Sequence, residues 1–154
     1  MNNLTKVFLF TIIFSFSSFF SHAETDNKND KSGEVIVLTK ADFLKKVYNF
    51  EKNQDEWVYE GDKPCIVDFY ADWCGPCRQV SPILKQLAEQ YKDQIIVYKI
   101  NVDNEKELAM AFGIQSIPTF LFIPKNGQPQ LAMGALPKET FEKQIKEFLL
   151  GEQE

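Results

Sequence analysis

The segment "CIVDFYA", Cys65 to Ala71, is apolar at almost every position, with Asp68 as its one charged residue. A half-exposed strand alternates apolar and polar residues, so a continuous run demands cover on both faces. This predicts a central strand of a parallel sheet with layers packed on either side. The flanking patterns supply those layers. "EVIVLT" from Glu34 is a short β-branched run, hence a strand. "KADFLKKVYNF" then places Phe43, Leu44, Val47 and Phe50 at helical spacing. From Gly75 onward Val80, Ile83, Leu84, Leu87 and Tyr91 recur at three and four, which predicts a helix with a buried stripe, kinked at Pro82. "QIIVYKINV" reads as a third strand, "EKELAMAFG" as a short helix closed by Gly113, and "PTFLFI" as a fourth strand. Asn126-Gly127 is a strong hairpin signal, with "QLAMGA" as the antiparallel partner. "PKETFEKQIKEFLL" sets Phe141, Ile145, Phe148 and Leu149 on one face of a last helix. The order β-α-β-α-β-α-β-β-α predicts an α/β fold, a central mixed five-stranded sheet flanked by helices. One stretch breaks the alternation: "EKNQDEWVYEGDKP", from Glu51, is a long loop with a turn around Trp57.

The first 23 residues stand apart. They hold one basic residue, Lys6, then an apolar run of 14 residues from Val7 to Phe20, then Ser21-His22-Ala23. This is the layout of a secretory signal peptide cleaved after Ala23, and its core is shorter than the ~20 residues of a membrane-spanning helix. Residues 24–33 are polar and without periodicity, so they read as a flexible leader ahead of a domain at 34–154. Removing Lys6 takes 17 basic and 22 acidic residues to 16 and 22, a net charge of −6. An acidic chain is a poor partner for nucleic acid, which needs an excess of Lys and Arg. The single histidine, His22, leaves with the signal, so no activity of the cleaved chain rests on imidazole.

Three cysteines remain, Cys65, Cys74 and Cys77. Bridging Cys74 to Cys77 closes a ring of about four residues and withdraws only ~2 kcal/mol of loop entropy from the unfolded chain. As a staple the pair is weak. Structural zinc wants four ligands, and one cysteine pair without histidine does not supply them, so no metal site is expected. The remaining reading is a bond made to be broken. Cys74 follows the buried strand and a short turn, at the start of a helix, where free N–H groups lower a thiol pKa. Cys77 sits one turn deeper. This predicts an exposed nucleophile and a sheltered resolving thiol, with Pro76 stiffening the first turn without wasting an N–H.

"VDFYADWCGPCRQVSPIL", followed by "YKINVDNEKELAMAFGIQSIPTFLFI" and "GALPKETF", resembles the thioredoxin family over about Ile66 to Leu150. The leader and the loop at 51–63 lie outside that pattern. The resemblance implies a Cys74–Cys77 disulfide, with Cys74 attacking a target disulfide and Cys77 resolving the mixed disulfide. It makes Asp68 a buried carboxylate that moves protons to or from Cys77, and an acid in an apolar strand does acquire a raised pKa unless it is paired. Lys99 is its candidate partner. Pro118 is implied to be a cis-proline facing the disulfide, leaving the Ile117 backbone free to pair with a substrate segment. Trp73, Gly75, Pro76, Gly134 and Ala135 are implied to form the rim on which proteins rest. No cofactor is implied.

Cys65 departs from the family pattern. It points with Val67 and Phe69, opposite to Asp68, and reads as a buried inert thiol rather than a regulatory one. Pairs of this kind span roughly −270 to −120 mV, about five decades in equilibrium constant. Gly75-Pro76 is similar to the reducing members, so the expectation is a monomeric, general disulfide reductase outside the cytoplasm, most simply in a periplasm. It would act on disulfide-containing proteins and be recharged by a membrane electron-transfer protein. The alternatives are an oxidant or isomerase, or a redox-independent binding or chaperone module.

Overall fold

The structure is a computed structural model describing residues 32–152. The segment expected to be a signal peptide, and all of the expected leader except Ser32 and Gly33, lie outside the described residues. The elements run β1 Val35–Val37, α1 Lys40–Lys46, β2 Cys65–Tyr70, α2 Gly75–Gln90 and β3 Ile96–Asn101. They continue with α3 Lys106–Ala111, β4 Thr119–Ile123, β5 Gln130–Met133 and α4 Lys138–Lys143. The last helix goes on as a π-helical segment, Gln144–Leu149. This is the element order and the mixed five-stranded sheet that the hydrophobic patterns predict.

The sheet order is β1-β3-β2-β4-β5. β3 runs parallel to β1 and to β2, whereas β4 is antiparallel to β2 and β5 antiparallel to β4. β2 is therefore central, bonded on both edges and buried on both faces, as its apolar run requires. Ile66 points to the face where Val80, Leu84 and Leu87 of α2 meet Phe141 and Ile145. Cys65, Val67 and Phe69 point to the other, against Phe43 of α1 and Leu108 of α3.

Two boundaries differ from the sequence reading. α1 ends at Lys46, although apolar spacing continues to Phe50. Its start is fixed by a capping box between Thr39 and Asp42. Beyond Val47 the chain turns, so that Tyr48 bridges antiparallel to Tyr59 and stacks on Trp57 at 4.3 Å. The long loop is thus folded back on the α1–α3 core, and Phe50 reaches Phe112 from a loop. The second difference is the π-helical end, where Leu150 N–H bonds to Ile145 C=O, five residues back. Pro82 lies inside α2, which continues through it to Gln90.

Phe141 anchors this terminal helix. It is fully buried, edge-on to Phe120 at 4.8 Å and close to Phe122. Phe141→Ala is expected to lower unfolding free energy by about 3–5 kcal/mol. Urea denaturation checks this, and an unchanged slope locates the loss in native packing.

Candidate active site

At the end of β2 the chain makes a tight turn in which Cys74 N–H donates to Ala71 C=O at 3.2 Å. Cys74 is then the N-cap of α2, with Gly75 and Pro76 in the first turn. A proline here sacrifices no helical hydrogen bond. Cys74 and Cys77 are disulfide-bonded, their Cα atoms 5.3 Å apart. The Cys77 amide donates to Cys74 Sγ at 3.2 Å, so the sulfur takes the place of a capping oxygen. A negative charge developing on Cys74 falls on a ready donor at the positive end of a helix.

The exposed nucleophile expected from the sequence is not what the fold presents. Cys74 is 2% exposed and Cys77 5%. The reason is packing: both sulfurs lie in a small cluster with Ala71, against Tyr70, Val102 and Ile117. What is exposed is Trp73, at 67%, held by a hydrogen bond from its Nε1 to Asp103 Oδ2 at 2.9 Å.

Asp68 lies in β2 on the same face as Ile66, beneath α2, and is 5% exposed. Burial pushes its carboxyl up to about 7, with the Lys99 ammonium pulling the other way. Lys99 is its register partner on β3, but its ammonium sits 4.8 Å from the centre of the Tyr70 ring. No ion pair joins Lys99 to Asp68 among the described residues, and Asp68 Oδ1 is buried without a hydrogen-bond partner. The alternative of a carboxylate satisfied by a salt bridge therefore loses its support.

β4 supplies the other wall. The Ile117–Pro118 peptide is cis. The β2–β4 ladder ends at Phe69–Thr119, which leaves Ile117 outside it. Gly134 N–H donates to Pro118 C=O at 2.8 Å and takes φ +89°, a backbone conformation that favours glycine. Ala135 follows in the same turn. The structure thus gathers Trp73, Cys74, Cys77, Ile117, Pro118 and Gly134 at one end of the sheet. Sequence reasoning missed Asp103 and its backing: Asp103 N–H bonds to Asn101 Oδ1, and Asn101 Nδ2 to Asp72 Oδ2. The available signal was position, since "NVD" closes a parallel strand at the carboxyl edge, where sites form. Among the described residues, no group of three or more His, Cys, Asp or Glu comes together as metal ligands.

A breakable disulfide with a built-in donor for its thiolate defines a thiol–disulfide oxidoreductase. Comparison with known proteins gives the family. The thioredoxin family profile matches residues 34–147, including β1, α1 and the long loop. Thioredoxin of Borreliella burgdorferi is 47% identical over 114 residues, covering 74% of this chain and 97% of the relative. The chloroplastic M-type thioredoxin of Spinacia oleracea is 32% identical, covering 88% and 75%. Among solved structures, a mutant thioredoxin from Halobacterium salinarum is similar with a TM-score of 0.60 and 26% identity, covering 77% of this chain and 93% of that one. The chain belongs to the thioredoxin family, and its enzymatic class is protein-disulfide reductase.

Asp68 makes stability depend on pH. Its folded value of about 7 lies above the ~3.9 of an unfolded aspartate. The folded state therefore holds this proton more tightly, and the stability it contributes is complete below about pH 4 and lost as pH rises through about 7. Asp68→Asn is expected to stabilise the protein at pH 8 by about 4 kcal/mol at most, with the difference shrinking toward zero by pH 4. Paired urea titrations across that range check the sign.

Proposed function

We propose that this chain is a general reductant of protein disulfides that works outside the cytoplasm, most simply in a periplasm, after cleavage following Ala23. The observation that carries the chemistry is the hydrogen bond from the Cys77 amide to Cys74 Sγ at the start of α2. Cys74, as thiolate, attacks a substrate disulfide and forms a mixed disulfide, releasing the first substrate thiolate. Cys77 then loses its proton to Asp68 and attacks Cys74 Sγ. The Cys74–Cys77 bond forms, the mixed disulfide breaks, and the electron pair leaves on the second substrate sulfur. Lys99 tempers the carboxyl of Asp68 through its charge.

Trp73, Gly75, Pro76, Gly134 and Ala135 form the rim for the substrate protein, and an extended substrate segment pairs with the Ile117 backbone beside Pro118 as an added strand. Gly75-Pro76 supports the reducing direction. The N-terminal pattern of Lys6, the apolar run and Ser21-His22-Ala23 supports export. An exported reductant needs electrons passed across the membrane, so its donor is a membrane electron-transfer protein. The enzyme acts as a monomer.

The reduction potential at pH 7, by equilibration with dithiothreitol and glutathione buffers, tests the direction. A value near −270 mV is expected, and one above about −180 mV overturns the reductant reading in favour of an oxidant or isomerase. Cys74→Ser is expected to abolish disulfide reduction. Biological activity that survives this change would make the molecule a binding module instead.

A further inference from the structure

β5 ends the sheet, and its two faces are packed differently. Ala132 lies against the core that Phe141 and Ile145 complete. On the other face Leu131 and Met133 are 53% and 69% exposed. Met133 is the register partner of Thr119 and precedes Gly134, which bonds to Pro118, so this bare face begins at the redox centre. Leu131, two residues back, pairs with Leu121. There the surface deepens into a pocket of about 380 Å³. The sheet contributes Leu121 and Leu131 to it, and the chain beyond α1 and α3 contributes Tyr48, Phe50, Trp57 and Phe112. None of its lining residues carries a charge.

Polar contacts hold the aromatic wall in shape. The Tyr48 hydroxyl donates to the Asn53 carbonyl at 2.6 Å, while the Tyr48 ring stacks on Trp57. Phe50 meets Phe112 edge-on. Lys40 Nζ reaches Glu51 at 2.6 Å, where the long loop starts, and Glu107 of α3 at 2.7 Å. The loop and α3, which carry the two parts of the wall, are thus clipped together. A pocket formed in advance loses little affinity to ordering when it is filled.

We propose that this pocket is a substrate subsite, taking an aromatic or large aliphatic side chain of the disulfide-containing protein about four residues from the cysteine under attack. The inference rests on the reading that a substrate segment pairs with the Ile117 backbone. From Ile117 to Leu121 the chain advances four residues, about 13 Å at ~3.3 Å each. An extended segment that leaves Ile117 over the end of β5 passes Met133 and reaches the pocket at that same spacing. An aromatic side chain buries roughly 150–250 Å² and packs well on ring edges and faces. Met133, unbranched and polarisable, adapts to varied neighbours on the way, which suits a reductase of many proteins. Other occupants fit less well. Residues 24–31, "ETDNKNDK", hold no apolar side chain to fill the pocket. A second copy seated on β5 would cover Met133 and the adjoining rim, closing the disulfide that the reaction needs open.

The test uses single turnovers of the reduced protein over a range of peptide concentrations. Three peptides, each a symmetric dimer through one cysteine, differ only in carrying Trp four residues before the cysteine, Trp four residues after it, or Ser at both places. One Trp peptide is expected to half-saturate the protein at about tenfold lower concentration than the Ser peptide, with maximal rates within twofold. Leu131→Asp, at an exposed position, is expected to bring that ratio within twofold, and Leu131→Ser, the milder change, to about threefold. Moving Trp to eight residues from the cysteine is expected to abolish the preference. Equal half-saturation by all three peptides overturns the proposal. So does a preference that persists in both Leu131 variants or at eight residues, which marks unspecific apolar adhesion. A dimer in sedimentation equilibrium at the assay concentration, dissociated by Leu131→Asp, gives the pocket to a second copy and overturns it as well. Trp73→Ala separates the two levels, since stripping the rim is expected to weaken all three peptides alike. If it changes none of them, the rim reading fails. If it weakens all three and the wild-type protein still ranks them equally, only the subsite fails.

Discussion

The antiparallel pairing of β4 with β2 decides where everything else in this molecule sits. β2 runs parallel with β3 and β1, so its carboxyl end is the edge where the chain turns into α2 and places Cys74. Because β4 runs the other way, its amino end lies beside the carboxyl end of β2, with Thr119 opposite Phe69. Pro118, immediately before β4, is thereby delivered to the disulfide from a sequence distance of some forty residues. A parallel β4 would have put Pro118 at the far edge of the sheet. The hairpin to β5 extends the same logic, since Gly134 ends a strand antiparallel to β4 and bonds back to the Pro118 carbonyl.

The scaffold can tolerate an expensive site because its stability comes from elsewhere. One face of the sheet packs Ile66, Phe120 and Phe122 against α2 and the terminal helix, and the other packs Val67, Phe69 and Leu121 against α1 and α3. The disulfide adds ~2 kcal/mol of loop entropy, so opening it leaves both cores in place. Asp68 works against the fold increasingly from about pH 4 to about pH 7 and in full above that, which is the cost of holding a titratable acid under α2.

Most of this fold was legible because β2 is apolar at almost every position and its neighbours keep clean helical or strand periods. Asp68 and the cysteine pair were legible as exceptions to those patterns. Three features were not. The end of α1 was hidden because Val47 and Phe50 keep helical spacing while Tyr48 leaves to pair with Tyr59, a tertiary contact with no local signal. The burial of Cys74 depends on Ile117 and Val102, which approach from other strands. The partner of Trp73 was likewise set by topology: Asp103 is thirty residues away in sequence and adjacent only because β3 lies beside β2.

Cys65 opens β2 on the face away from Asp68, completely buried, with its thiol pushed up to about 12 by burial. It is protonated, shielded and at the centre of the sheet, so it cannot join the exchange at the other end of the same strand. An alkylating reagent will meet it only when the core itself opens. The molecule therefore carries an internal chronometer. Modification of Cys65 counts excursions of the whole sheet, while the Cys74–Cys77 pair cycles through its own chemistry without advancing the clock.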